Sequence, residues 1–139
     1  MKDQLFNQLP DSQLYEDLSY DNLSECIERI KNAPDENHYI IFDDMTAHLK
    51  NKLTLQMLKE LIYNRRHLHC SIFFLVQSWY AVPKDIRKLF SNLFIFKIGK
   101  CEMELLFNEV VEQHKEIIPK ISKIAFSEKN NFFYKYRKW

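Results

Sequence analysis

Glycine is nearly missing from these 139 residues, and Gly99 is the single one. A phosphate-cradling loop of the form GxxxxGK followed by Ser or Thr needs two glycines, so no such loop lies in this sequence. Gly99-Lys100-Cys101 imitates the end of one but lacks the upstream glycine and the terminal hydroxyl. Cysteine is also sparse. Cys26, Cys70 and Cys101 are an odd number without paired spacing, which argues against a disulfide frame or a zinc site and for reduced, mostly buried thiols in a reducing compartment. Long apolar runs are absent too: the longest, Ile72 to Val76, is far below the roughly 20 residues that cross a bilayer. Met1 to Pro10 has neither the basic start nor the apolar stretch of a signal peptide. A soluble, non-secreted chain with no membrane partner is expected.

What is present is apolar and aromatic. At 46% hydrophobic and 14% aromatic the chain has ample material for the core of one domain at this length. The net charge of +1 conceals an asymmetry: residues 1–48 hold 11 acids and 3 bases, and residues 49–139 hold 8 acids and 17 bases. The split reads equally as a basic surface for an anionic partner and as two halves that attract each other.

The polar segment Met1 to Tyr20 reads as a lead-in. A helix is expected from Asp21, which would cap it, with Leu23, Cys26, Ile27 and Ile30 on one face and a stop at Asn32-Ala33-Pro34. His38 to Phe42 then reads as a strand covered on both faces, because it is apolar without polar alternation, and it runs straight into Asp43-Asp44. Leu55, Leu58, Leu61 and Ile62 mark a second helix, and Ser71 to Val76 a second buried strand that delivers Gln77 at its end. A helical turn near Pro83 to Phe90, a strand at Leu93 to Ile98, helices at Glu102 to Glu112 and Glu116 to Ala125, and a last strand at Asn131 to Arg137 complete the order. Apolar strands alternating with helices predict an α/β fold, a mainly parallel sheet with helices on both faces.

Ligands of parallel α/β sheets bind beyond the carboxyl ends of the strands, so Asp43, Asp44 and Gln77 are candidates to converge. Two like charges about 4 Å apart near a surface repel by roughly 1 to 4 kcal/mol, and a divalent cation relieves that repulsion. Four apolar residues followed by two acids is the Walker B pattern of nucleotide hydrolases, in which the first acid holds magnesium and the second orients the attacking water. The alternative is a solvated strand end whose second acid caps the next helix.

The ordered series Ile40-Ile41-Phe42-Asp43-Asp44, Arg66-His67-Leu68, Ser71-Ile72, Gln77, Val82-Pro83 and Arg87 resembles the genome-packaging ATPases of poxviruses and other large nucleocytoplasmic DNA viruses, of the FtsK/HerA group of P-loop motors. The likeness runs from about Tyr39 to Phe96. It implies one partial ATPase domain with a RecA-like core: residues 1–20 a lead segment, 21–98 the stretch from Walker B to sensor, and 99–139 the closing helices and strand. It implies ATP and Mg2+, with Asp43 as the magnesium acid, Asp44 in the place of the catalytic acid and Gln77 as the γ-phosphate sensor. Arg66 or Arg87, with Arg87 favoured, would complete a neighbouring subunit's site. In the family a glycine precedes the arginine-histidine pair; here Arg65 stands there.

The implied partners are double-stranded DNA, other motor subunits in a ring, and a separate half carrying the phosphate loop, in the viral factory of the host cytoplasm or in the virion. The likeness further implies that the phosphate-loop strand belongs between Ser71–Val76 and Leu93–Ile98. Three functions compete: the C-terminal part of a packaging motor, inactive alone; a non-catalytic interaction module binding motor subunits or DNA; and a magnesium-dependent nuclease. Plainer readings stand beside these: Gln77 as a strand-end cap, Arg87 as a solvated base with Lys84 and Lys88, and His67, His69 and Cys70 on alternate faces rather than around a metal. The closing run Phe132, Phe133, Tyr134, Tyr136 and Trp139 with Lys135, Arg137 and Lys138 reads as a nucleic-acid face or as a strand with one buried side.

Overall fold

The structure is a computed structural model and describes residues 8–111, 115–128 and 131–136. Two compact units make up the chain, residues 1–76 and 77–139, so the boundary falls inside the stretch that the resemblance treats as one core.

The first unit is a β-α-β arrangement with a helix before it. Helix α1, Tyr20–Lys31, begins one residue earlier than expected because Ser19 is its cap: Ser19 Oγ accepts from the Asn22 N–H at 3.3 Å. Asp21 instead lies in the first turn, where its charge complements the helix dipole. The lead segment is docked rather than loose at its end, since Leu18 is buried and the Arg29 guanidinium donates to the Ser12 carbonyl. Helix α2, Lys52–Asn64, starts at Asn51, whose Oδ1 accepts from the Leu53 and Thr54 N–H groups at 3.0 and 3.2 Å. It packs against α1 and buries Leu58, Leu61 and Ile62.

Strands β1, His38–Asp43, and β2, Cys70–Leu75, pair in parallel with a level register from His38 opposite Cys70 to Asp43 opposite Leu75. One face turns Phe42 and Cys70 into the core, with the Phe42 and Phe74 rings 4.7 Å apart. The other face is open: Tyr39, Ile41, Phe73 and Leu75 are exposed, as is Asp43 beyond them. The expectation of two covered faces therefore fails here, because burial among the described residues falls on the Phe42 and Cys70 side only. No third strand joins β1 and β2 among the described residues.

The second unit contains helix α3, Lys84–Arg87, strand β3, Asn92–Ile95, helix α4, Lys100–Leu106, a π-helical turn at Phe107–Val111, helix α5, Ile118–Ala125, and strand β4, Phe133–Tyr136. Strand β3 pairs antiparallel with β4 rather than extending a parallel sheet. Its inward residues Leu93 and Ile95 close on Trp79, Met103, Leu106 and Phe107. The α/β class fits, as two small sheets of opposite type. Arg137, Lys138 and Trp139 lie outside the described residues.

All three cysteines are free; Cys70 is buried and Cys26 half-buried, while Cys101 is exposed, contrary to the expectation of a mostly buried set only at that position. Burial first, and the neighbouring Cys26 second, push the Cys70 thiol up to about 11. Burial likewise raises Cys26. A thiol that holds its proton more tightly folded than unfolded, where its pKa is about 8.5, stabilises the fold fully below that value and loses the contribution as pH rises toward the folded pKa. Alkylation at pH 8 should therefore label Cys101 rapidly, the half-buried Cys26 more slowly and Cys70 only on unfolding. Stability to urea should fall between about pH 9 and 11, and a Cys70→Ala variant should lose part of that slope.

Candidate functional site

Strand β1 ends where its last residue carries the first acid. Asp43 is still in register, opposite Leu75, and faces the open side of the pair. Asp44 takes left-handed backbone, φ 51° and ψ 30°, while its N–H still donates to the Leu75 carbonyl at 3.0 Å. The ladder thus continues through the backbone as the chain swings into the 3-10 helix Met45–Lys50. Left-handed backbone suits Asp better than most side chains, and non-glycine residues held there cluster at functional sites. Asp44 is the N-cap residue of that 3-10 helix but forms no side-chain cap bond, which removes the capping half of the bland reading.

Both carboxylates are exposed. Two hard oxygen donors of this kind suit magnesium, which takes one or two protein carboxylates and completes its shell with water and phosphate. Among the described residues no cluster of three or more His, Cys, Asp or Glu is placed to hold a metal.

Arg66 is exposed in the turn between α2 and β2. Arg65, standing where the family pattern has glycine, keeps right-handed helical backbone (φ −52°, ψ −33°), a conformation open to any residue. Its guanidinium donates to the Ile62 carbonyl at 2.8 Å. The left-handed position of the turn falls instead at His69, φ 46°, so the turn closes without glycine.

Gln77 and Arg87 belong to the second unit. Gln77 is exposed two residues beyond the end of β2. Arg87 is not a solvated base. Its Nη1 donates to Glu109 Oε2 at 2.7 Å, its guanidinium carbon sits 5.6 Å from the centre of the Trp79 ring, and its Nε is buried without a hydrogen-bond partner among the described residues. The same Glu109 oxygen accepts from the Trp79 indole N–H at 3.1 Å.

Seven residues earlier, Glu102 Oε1 accepts from the Ser78 hydroxyl at 2.7 Å and from the Tyr80 N–H at 3.2 Å. The Tyr80 hydroxyl donates to the Cys101 carbonyl at 3.3 Å. Two carboxylates one heptad apart, on α4 and the π-helical turn that follows it, therefore grip the segment that runs from Gln77 to Arg87. The sequence reading missed both. Their spacing on one helix face was a visible signal, but their partners lie 22 to 30 residues upstream.

The described residues define an α/β chain with an exposed acid pair at the carboxyl end of a parallel pair, and none of its helices is long and apolar enough to cross a membrane. The family model of the Poxvirus A32 protein matches residues 12–134, and the chain belongs to that family, the genome-packaging ATPases of these viruses. Neither the curated proteins nor the solved structures contain a match to it.

The side chains of Arg87 and Glu109 are only 11% and 21% exposed, so removing one takes the opposite charge away from the other in a poorly solvated site. Glu109→Ala should cost about 3 kcal/mol, the lower end of the range for breaking a buried pair, as read by urea unfolding. The double variant Arg87→Met with Glu109→Gln should recover a large part of the loss.

Proposed function

We propose that this chain supplies the acid-bearing and sensor-bearing part of a viral DNA-packaging ATPase, an FtsK/HerA-like P-loop motor that couples ATP hydrolysis to translocation of genomic DNA. The observation that carries the reading is the acid pair Asp43-Asp44 at the level carboxyl end of β1 and β2, in a chain of the A32 family. Asp43 would hold the magnesium ion of bound ATP and Asp44 would orient the attacking water; the ion itself would neutralise charge on the phosphates. Gln77 is the candidate sensor. With one glycine, the chain takes its phosphate loop from a segment outside this sequence, and alone it does not hold the β- and γ-phosphates.

A second reading is supported by Arg87. An arginine acting on a neighbouring subunit must first leave Glu109 and Trp79, and a chain in which it stays held would serve as a non-catalytic interaction module for motor subunits or DNA. Arg66, exposed and at the family's arginine-histidine position, is the other candidate for the trans role.

Purified chain should show ATP turnover at background. Mixed with a phosphate-loop half from an intact family member, it should gain magnesium-dependent turnover that Asp44→Asn abolishes; Asn keeps the tolerance for left-handed backbone, so folding is spared. Turnover absent from the mixture despite a stable complex would favour the interaction module. Lys84, Lys88, Lys97 and Lys100 are exposed on the second unit and are the candidate contacts to duplex DNA. Binding should be independent of sequence, and each phosphate contact removed by Lys→Gln should reduce the salt slope by about 0.9. Unchanged affinity in the fourfold variant would make these lysines a solvated surface.

A further inference from the structure

The outer face of the β3–β4 hairpin carries a continuous strip of exposed aromatic rings. Phe94 and Tyr134 are direct cross-strand partners with ring centres 5.0 Å apart. Phe132 lies 5.5 Å from Phe94 and 5.8 Å from Phe96, and Tyr136 extends the same face opposite Asn92. All five rings are about half exposed, from 47% at Phe132 to 61% at Phe94. The opposite face supplies Leu93, Ile95 and Phe133 to the core, so the hairpin is anchored on one side and bare on the other.

Composition separates this face from the open side of β1 and β2. There the exposed side chains include Ile41 and Leu75 and end at Asp43, in a unit that holds 8 bases and 12 acids. Here every large exposed side chain is aromatic, and residues 77–139 hold 12 bases and 7 acids. Lys97, which is exposed, follows Phe96 directly, whereas Lys135, between Tyr134 and Tyr136, alternates to the opposite face with Phe133. Flat rings in a row, in a net positive unit, match a ligand that offers a series of flat π-faces joined by negative charge.

We propose that this strip is a binding face for single-stranded nucleic acid, with successive bases stacked on Phe94, Phe96, Phe132 and Tyr134 and the backbone drawn by the basic surroundings. The site is distinct from any contact to duplex DNA, because a duplex keeps its base faces stacked on one another and offers none to the strip. Recognition is tolerant of sequence, since every base has a π-face.

The test measures anisotropy of fluorescein-labelled oligo(dT) of 15 residues, a 15-base-pair duplex and an abasic oligomer of equal length, all at 50 mM salt. Oligo(dT) should bind more tightly than the abasic oligomer by at least tenfold. Phe94→Ala should weaken oligo(dT) by roughly five- to 150-fold, the span measured for loss of one stacked base, and leave duplex affinity unchanged. Tyr134→Phe, which keeps the ring, should bind within about twofold of the parent. Should Phe94→Ala fail to fold, Phe96→Ala, which lies beyond the end of β3, carries the same expectation. Equal affinity for the abasic oligomer, no binding of oligo(dT), or ring variants without effect would each overturn the proposal. A parent chain that sediments as a dimer, is dissociated by Phe96→Ala and ignores oligo(dT) would assign the face to a second copy instead. Because the duplex is measured in the same series, loss of duplex binding by Lys84 and Lys88 variants reports on the packaging reading separately.

Discussion

The parallel pairing of β1 with β2 is the constraint on which the first unit depends. A parallel pair cannot be closed by a tight turn, so the chain must leave the sheet, run back through α2 and re-enter at Cys70. The level register that results puts the ends of both strands side by side and carries Asp43 to the rim, with Asp44 turning the chain away through left-handed backbone. The same pairing creates an unfilled demand. Parallel strands occur almost only with both faces covered, yet Tyr39, Ile41, Phe73 and Leu75 are open to solvent. Two strands with one buried face are marginal as a free-standing sheet.

In the second unit the organising contacts are polar and long-range. Glu109 satisfies an indole N–H and a guanidinium at once, and Glu102 holds a hydroxyl and a backbone N–H. Their effect is to fix the course of the segment after Gln77 against α4. The π-helical turn at Phe107–Val111 brings Glu109 to its partners while Phe107 stays fully buried. Wider turns of this kind recur at functional positions in helices. The pair also explains why a basic side chain in a run of lysines is withdrawn from solvent: Lys84 and Lys88 are exposed, whereas Arg87 has a carboxylate and a ring to meet.

The order of elements was legible in the residues, since apolar period and capping chemistry are local. His38 to Phe42 and Ser71 to Val76 were readable as strands, and their ends shift by one residue in the structure. Strand cover was not legible. A run such as Ile40-Ile41-Phe42 is apolar on both faces whether or not something covers them, so the pattern states a demand and not its fulfilment. The antiparallel partnering of β3 with β4 was equally hidden, because pairing between residues some 40 apart leaves no local mark. Asp43 and Asp44 could be found from sequence because they adjoin their strand. The tie of Arg87 to Glu109 could not, and it changes what that arginine has to do before it reaches anything else.

On the function proposed above, the edge of β2 that points away from β1 is completed by a strand from a segment bearing the phosphate loop. In a strand, alternate N–H groups point to opposite edges, so those of Cys70, Ile72 and Phe74 point away from β1, and that of Cys70 already donates to the Arg65 carbonyl at 2.8 Å. Amide hydrogen exchange of those residues, with and without the phosphate-loop half of an intact family member, tests this directly. The account predicts that the Ile72 amide exchanges fast in the chain alone and becomes protected by at least tenfold in the mixture, with little change at Ser71, Phe73 and Leu75, whose amides face β1. An Ile72 amide that is already protected in the isolated chain, or that stays fast in a mixture that forms a complex, would contradict it.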